Sequence, residues 1–138
     1  MRILIMILAT GAALSACAIQ NSPAAEKKAA SEAVRLEVAL AGRVAGRPQS
    51  CLPPRNANGP ESFGETTLLF RSGNVIYRTE TSGSCGRAGR DDILITQTFS
   101  SSLCRGDISR TVDRISQSPS GSCAMGDFVP YRKPSTKG

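Results

Sequence analysis

The 138-residue sequence contains no histidine and no tryptophan, and only 4% of its residues are aromatic. Without histidine, the chain cannot form a Ser–His–Asp triad, a Cys–His nucleophile or a histidine-ligated zinc site. The scarcity of aromatic residues leaves few large side chains for a hydrophobic core. The hydrophobic fraction of 40% and the charged fraction of 20% are nevertheless typical of a single globular domain.

The first 16 residues predict a secretory signal peptide. Arg2 precedes an apolar run of about a dozen residues, which is too short for a membrane-spanning helix of about 20. The run leads into Leu14-Ser15-Ala16-Cys17, which resembles the lipobox of bacterial lipoproteins. This resemblance implies that Cys17 receives a diacylglyceryl group and becomes the first residue of the mature chain. Two or three acyl chains form a durable anchor, since each buried methylene contributes about 0.8 kcal/mol.

The residue after the modified cysteine bears on sorting in that family. An Asp there favours retention in the inner membrane of enteric bacteria, so Ala18 favours the outer membrane. The expected localisation is therefore the cell envelope, with a lipid anchor and the domain in the periplasm. The alternative is cleavage between Ala18 and Ile19, which gives a soluble secreted protein without lipid.

The charge of the mature chain restricts its partners. Removing residues 1–16 takes Arg2 away and leaves 16 basic and 11 acidic residues, a net charge of +5. An exported protein does not meet cytoplasmic nucleic acid; its available polyanions are phospholipid headgroups, lipopolysaccharide and cell-wall polymers. The expected partners are the membrane, through the anchor, and anionic envelope polymers or another envelope protein. A charge that only keeps the protein soluble is the simpler interpretation.

The four remaining cysteines are Cys51, Cys85, Cys104 and Cys123. An even number in a small exported domain indicates two disulfides, and the absence of a C-x-x-C pair argues against redox and zinc motifs. Three pairings are possible. We expect Cys85–Cys104, which flanks one predicted strand, and Cys51–Cys123, which joins the first strand to the last. Closing a loop of about 20 residues is worth roughly 3 kcal/mol.

The order of predicted elements indicates an α+β fold that is mainly β. Residues 17–23 predict a lipidated tether, with Ser22 and Pro23 suited to a helix N-cap and first residue. Residues 24–45 predict a helix, because residues 24–43 are rich in helix-forming Ala, Glu, Lys, Leu and Arg. Residues 46–133 predict a small disulfide-stapled antiparallel sheet or barrel of about five to six strands. Residues 134–138 predict a disordered tail.

Five stretches have the composition of β-strands: residues 66–71, 75–79, 93–99, 108–115 and 123–129. The first two flank Ser72-Gly73-Asn74, which is a hairpin signal. Residues 108–115 alternate without a clean apolar face, which predicts an edge strand. Residues 117–121 predict a polar loop.

Several segments between Cys51 and Tyr131 form a familiar pattern. They are SCLP, TLLFRSGNVIYR, a cysteine in a Gly-rich turn, LCRGDI and GSCAMGDFVPYR. This order resembles a family of small exported proteobacterial proteins that carry the same four cysteines. The resemblance implies that the cysteines form a structural framework, and it supplies no catalytic or binding residues.

The candidate binding residues are Arg105, Arg110 and Arg114. The planar guanidinium of arginine suits phosphate and carboxylate groups. If Arg110 and Arg114 share a strand face, they can join a cationic patch that binds polyanions. The simpler interpretation is that they are solvated charges balancing nearby aspartates.

The other motifs predict no chemistry. Arg105-Gly106-Asp107 spells an integrin-binding tripeptide, but its position beside Cys104 indicates a local turn in which Asp107 accepts hydrogen bonds from nearby amides. The aspartates lack calcium-loop spacing, and we expect them in turns and beside arginines. The sequence therefore predicts a non-enzymatic binding or structural module with no catalytic residues, no metal and no cofactor. A periplasmic enzyme or thiol-redox protein is the alternative.

Overall fold

The computed structural model describes residues 22–53 and 58–135. The predicted signal peptide, Cys17, residues 18–21 of the tether and residues 136–138 of the tail lie outside the described residues. The elements are α1 (Pro23–Leu40), β1 (Val44–Ala45), β2 (Asn58–Phe63), β3 (Thr67–Ser72), β4 (Val75–Glu80), β5 (Ser82–Ser84), β6 (Asp92–Gln97), β7 (Ile108–Asp113), β8 (Pro119–Ala124) and β9 (Phe128–Arg132).

The strands form two antiparallel sheets. The five-stranded sheet has the order β1-β9-β4-β3-β2, and the four-stranded sheet has the order β5-β8-β7-β6. The described residues form a mainly β fold with one helix and two disulfides, which confirms the predicted class. The expectation of one sheet or barrel of five to six strands was wrong in its detail, because nine strands in the described ranges divide between two sheets that do not close into a barrel.

The β3–β4 hairpin lies inside the first sheet and confirms the hairpin predicted there. Ser72 pairs with Val75, and Gly73 turns the chain with a φ of 56°. Leu69 packs in the core under α1, whereas Leu68 and Phe70 belong to the core beside the second sheet. Both faces of the hairpin are therefore covered, which explains why β3 contains an unbroken apolar run.

The layers of the molecule are the helix, the five-stranded sheet and the four-stranded sheet. The core under the helix contains Phe63, Leu69 and Ile76, against which Leu36, Ala39, Leu40 and Tyr131 pack. The larger core contains Leu52, Leu68, Phe70, Tyr77, Cys85, Ala88, Cys123, Met125 and Phe128. The two phenylalanine rings of that core meet edge to face, with their centroids 6.0 Å apart.

Helix α1 begins where the sequence predicts and ends earlier. Ser22 is the N-cap, and its Oγ accepts a hydrogen bond from the Ala25 amide at 3.3 Å. The predicted end at residue 45 was wrong. Gly42 has a φ of 68°, a conformation that ends a helix, and Val44–Ala45 pairs with β9 as a short edge strand.

The disulfides join Cys51 to Cys104 and Cys85 to Cys123. The expected pairing of Cys85–Cys104 with Cys51–Cys123 was therefore wrong. The expected pairing was based on the order of the cysteines along the chain, whereas the actual pairing depends on which strands are neighbours in the fold. Cys51 and Cys104 face each other in an isolated antiparallel bridge, and Cys85 follows β5, whose partner β8 carries Cys123.

Two strand predictions in the second half were also wrong. Strand β7 lies between β6 and β8, so it is an inner strand and not an edge. The expected last strand divides into β8 and β9, and the expected polar loop at 117–121 contains the start of β8. Gly121 permits this pairing because it has no side chain. A Cβ at this position would lie only 2.4 Å from the Ser84 carbonyl oxygen on β5.

Charged side chains fasten the helix to the domain. Glu32, which is 8% exposed, accepts hydrogen bonds from Arg35 at 2.8 Å and from Arg90. Arg35 also lies over the Phe63 ring, 5.1 Å from its centroid. Burial disfavours the charged carboxylate, but the hydrogen bond and charge of Arg90, together with the charge of Arg35, outweigh it and lower the pKa of Glu32.

Replacing Glu32 with Gln is expected to lower the free energy of unfolding at pH 7 by about 1–3 kcal/mol, because Arg90 then lacks its carboxylate. A carboxylate whose pKa is lowered in the folded state stabilises the fold at pH values above the ordinary glutamate pKa. This stabilisation is lost as the pH falls through the lowered pKa. The difference in the free energy of unfolding between the wild type and Glu32→Gln should therefore become smaller below about pH 4. Urea unfolding across this pH range measures it, with Glu37→Gln at an exposed position of α1 as the control. A gap that stays constant with pH contradicts the prediction.

Mild reduction is expected to open Cys51–Cys104 before Cys85–Cys123. The second pair is 0% and 3% exposed, whereas the first is half-buried and reachable by a thiolate. Trypsin sites separate all four cysteines, so alkylation at stepwise reductant concentrations followed by peptide mass analysis measures each bond separately. Early labelling of Cys85 and Cys123, or a peptide that joins Cys51 to Cys123, contradicts the structure.

Candidate functional site

Arg110 and Arg114 line one groove on the outer face of the four-stranded sheet. The groove has a volume of about 440 Å³ and is lined by Ile93, Ile95, Arg110, Val112, Asp113, Arg114, Gln117 and Pro119. Arg110 projects from the middle of β7, and Arg114 lies just beyond its end. We give the name Ile–Arg face to the surface formed by Ile93, Ile95, Ile108, Arg110, Val112 and Arg114.

Strand register explains why these side chains share a face. Ile93 pairs with Val112, and Ile95 pairs with Arg110, so the four project from the same side of β6 and β7. Ile93, Ile95 and Ile108 are 48%, 40% and 54% exposed. The residues that alternate with them are buried or half-buried, and most of these are polar.

The inner side of the sheet carries the polar residues Asp92, Thr96, Ser109 and Thr111. Thr96 Oγ1 and Ser109 Oγ lie 2.8 Å apart, and Ser120 Oγ bonds to both Asp92 and Thr111. These contacts provide partners for hydroxyl groups that would otherwise be costly to desolvate. The sheet therefore buries a hydrogen-bonded polar row and leaves its isoleucines outside, which reverses the usual arrangement.

Arg105 is not part of the groove lining. Its Nη1 lies 3.2 Å and 3.3 Å from the two carboxylate oxygens of Asp127. Asp107 Oδ2 accepts the Cys104 amide at 2.8 Å, and Gly106 has a φ of 89°, so the tripeptide forms the local turn that the sequence predicts. Of the three candidate arginines, the structure groups Arg110 with Arg114 and places Arg105 in an ion pair elsewhere.

The two arginines of the groove differ from the other charged residues of this sheet. Among residues 22–53 and 58–135, neither Arg110 nor Arg114 forms a salt bridge, whereas Arg87 alone lies within 4.0 Å of three aspartates, Asp91, Asp92 and Asp113. These aspartates lie beside Arg87, as the sequence predicts, and none of them forms a salt bridge with Arg110 or Arg114.

Asp113 is the acidic residue of the groove lining. Its Oδ1 accepts hydrogen bonds from the amides of Ser116 and Ile115 and from the Ser116 hydroxyl, at 2.8, 3.0 and 3.0 Å. These bonds, with the charge of Arg87, lower the pKa of Asp113, so its carboxylate is ionised at neutral pH. Because that carboxylate is hydrogen-bonded within its own turn and paired with Arg87, Arg110 and Arg114 remain available to a ligand.

Two further apolar residues adjoin the face and were missed in the sequence. Phe99 and Ile115 are almost completely exposed, and each lies two residues beyond the end of its strand, β6 and β7 respectively. Because the strands are antiparallel, the two residues mark opposite ends of the β6–β7 pair. The alternating isoleucines were the available signal, but the sequence did not indicate which side of the strand was buried.

A second cavity, of about 280 Å³, contains paired charges. It is lined by Lys28, Glu65, Ser84, Gly86, Arg87, Arg90, Asp91, Thr111 and Ser120. Arg87 forms salt bridges with Asp92 and Asp113, and Arg90 forms one with Glu32. These arginines therefore stabilise the packing of the layers. Across the described part of the chain, no group of three or more acidic, cysteine or histidine side chains could hold a metal ion. Helix α1, which is the helix among the described residues, is not long and apolar enough to cross a membrane.

Comparisons with protein-family models, with curated proteins and with solved structures find no match for this chain. The resemblance to small exported four-cysteine proteins therefore stays a prediction.

Proposed function

We propose that this chain is an envelope lipoprotein, anchored through Cys17, whose domain is a non-enzymatic binding module facing the periplasm. The ligand is an anionic component of the envelope, and the binding surface is the Ile–Arg face. The observation that carries the proposal is the pair of arginines, Arg110 and Arg114, which line a partly apolar groove and form no salt bridge among the described residues.

Physical chemistry supports an anionic, partly apolar ligand. A guanidinium group can form two parallel hydrogen bonds with phosphate or carboxylate, and such bonds strengthen beside apolar surface that excludes water. The isoleucines of the groove offer apolar area to the same ligand. The four domain cysteines are all joined in disulfides, which supports a structural framework over a thiol-redox role.

The anchor predicts the mass of the protein purified from its own membranes. We expect a chain that begins at Cys17 and carries acyl groups, with no free thiol before reduction. Intact mass spectrometry with alkylation before and after reduction measures both properties. A chain that begins at Ile19, or that lacks acyl mass, contradicts the anchor, and free thiols in the native protein favour the redox alternative.

Reversing the charge of the groove is expected to weaken binding of a soluble polyanion. The double variant Arg110→Glu/Arg114→Glu should bind dextran sulfate at least about tenfold more weakly at low salt, and the difference should shrink as salt screens the charges. Titration calorimetry against dextran sulfate, with neutral dextran as the blank, measures the affinity.

The matched control for this measurement is Arg47→Glu/Arg132→Glu. It changes the net charge by the same amount at exposed positions in and beside the five-stranded sheet. We expect this control to retain most of the affinity. An equal loss in both double variants would mean that dextran sulfate responds to net charge alone, which contradicts a defined site.

A further inference from the structure

The exposed apolar residues of this molecule are concentrated on and around one face. Of the eight exposed large hydrophobic residues within the described ranges, five lie in β6, β7 or the segments that follow them: Ile93, Ile95, Phe99, Ile108 and Ile115. The other three are Val34 and Val38 on α1 and Val44 on β1. Clustered exposed apolar surface of this kind marks a site of interaction.

We propose that the Ile–Arg face docks onto the surface of a bilayer that contains anionic phospholipid. The isoleucines and Phe99 enter the boundary between headgroups and acyl chains, and Arg110 and Arg114 contact lipid phosphates. This inference rests on the proposed function, because it names the anionic partner of the same face.

Charge complementarity selects the partner. Apolar side chains interspersed with arginine are the composition that binds the interface of an anionic bilayer, where the arginine stem lies along apolar surface and its head reaches phosphate. The acidic side chain of the groove, Asp113, already accepts three hydrogen bonds within its own turn. The face therefore offers two positive charges interspersed with apolar side chains.

The same charges disfavour a second copy of the chain on this face. Packing two Ile–Arg faces together would bring four guanidinium groups into one interface, and like charges in close contact oppose association. The distribution of the apolar residues also favours a bilayer over a folded partner. Phe99 and Ile115 are almost completely exposed at opposite ends of the strand pair, so the apolar groups extend along the length of the face.

The absence of tryptophan from the sequence provides a direct test. In Phe99→Trp the new side chain is the sole tryptophan, and position 99 is fully exposed, so the substitution leaves the core untouched. The matched control is Val38→Trp, at a position that is also exposed, at 70%, and lies on α1, a helix packed against the other sheet. Both variants are purified from membranes and mixed with vesicles of phosphatidylcholine, with or without phosphatidylglycerol.

We expect the tryptophan at position 99 to shift its emission to shorter wavelength, and to be quenched by brominated acyl chains, only with vesicles that contain phosphatidylglycerol. The emission of the Val38→Trp control should not change with either composition. Adding Arg110→Gln/Arg114→Gln to Phe99→Trp should weaken the binding of this face to the vesicles by roughly 25-fold, because each basic residue near an anionic surface contributes roughly fivefold.

Several outcomes would overturn the inference. One is that the tryptophan emission of Phe99→Trp does not change with either vesicle, and another is that the control changes equally. A third is an emission shift that depends on protein concentration in the absence of vesicles, which identifies a second copy of the chain as the partner. A shift with poly-glutamate and none with vesicles would identify an acidic polypeptide as the partner.

The anchor and the docking face can fail separately. A chain that co-sediments with vesicles through its acyl groups, while Phe99→Trp stays unresponsive, retains the proposed anchor and loses the docking face. A chain without acyl mass in which Phe99→Trp responds to phosphatidylglycerol retains the docking face and loses the anchor.

Discussion

The register that places Cys123 on the inner side of the second sheet is the constraint on which the rest of the structure depends. Cys123 is 3% exposed and bonded to the buried Cys85, so this side of β8 must face the core. Ser109 pairs with Cys123, and Thr96 pairs with Ser109, so all three share that side. Side chains alternate along a strand with a period of two, and a slip of one residue would exchange the faces.

The two faces of the second sheet follow from this register. The inner face holds serine, threonine and Asp92, and their mutual hydrogen bonds offset the desolvation of so many polar groups. The outer face receives the isoleucines and the two arginines of the groove. The hydrophobic effect alone would favour burial of the isoleucines, so their exposure makes the Ile–Arg face the strongest candidate for an interaction surface.

Local signals in the sequence predicted local structure well. The hairpin at Gly73 and the N-cap at Ser22 depend on residues close together in the chain, and both are present. Part of the candidate site could be predicted in the same way, because Arg110 and Arg114 are separated by an even number of positions within one predicted strand. Arg105 was grouped with them on charge alone, and its ion pair with Asp127 depends on a contact between distant parts of the chain.

The sequence by itself determined the absence of imidazole chemistry, the helix start, the hairpin and a framework of two disulfides, because each depends on composition or on near neighbours. The tertiary structure alone decided the disulfide pairing, the inner position of β7 and the choice of buried face. These depend on which strands become neighbours, and β5 pairs with β8 across a long stretch of chain. An alternating strand has two possible buried sides, and contacts between distant parts of the chain, such as the Cys85–Cys123 disulfide, select between them.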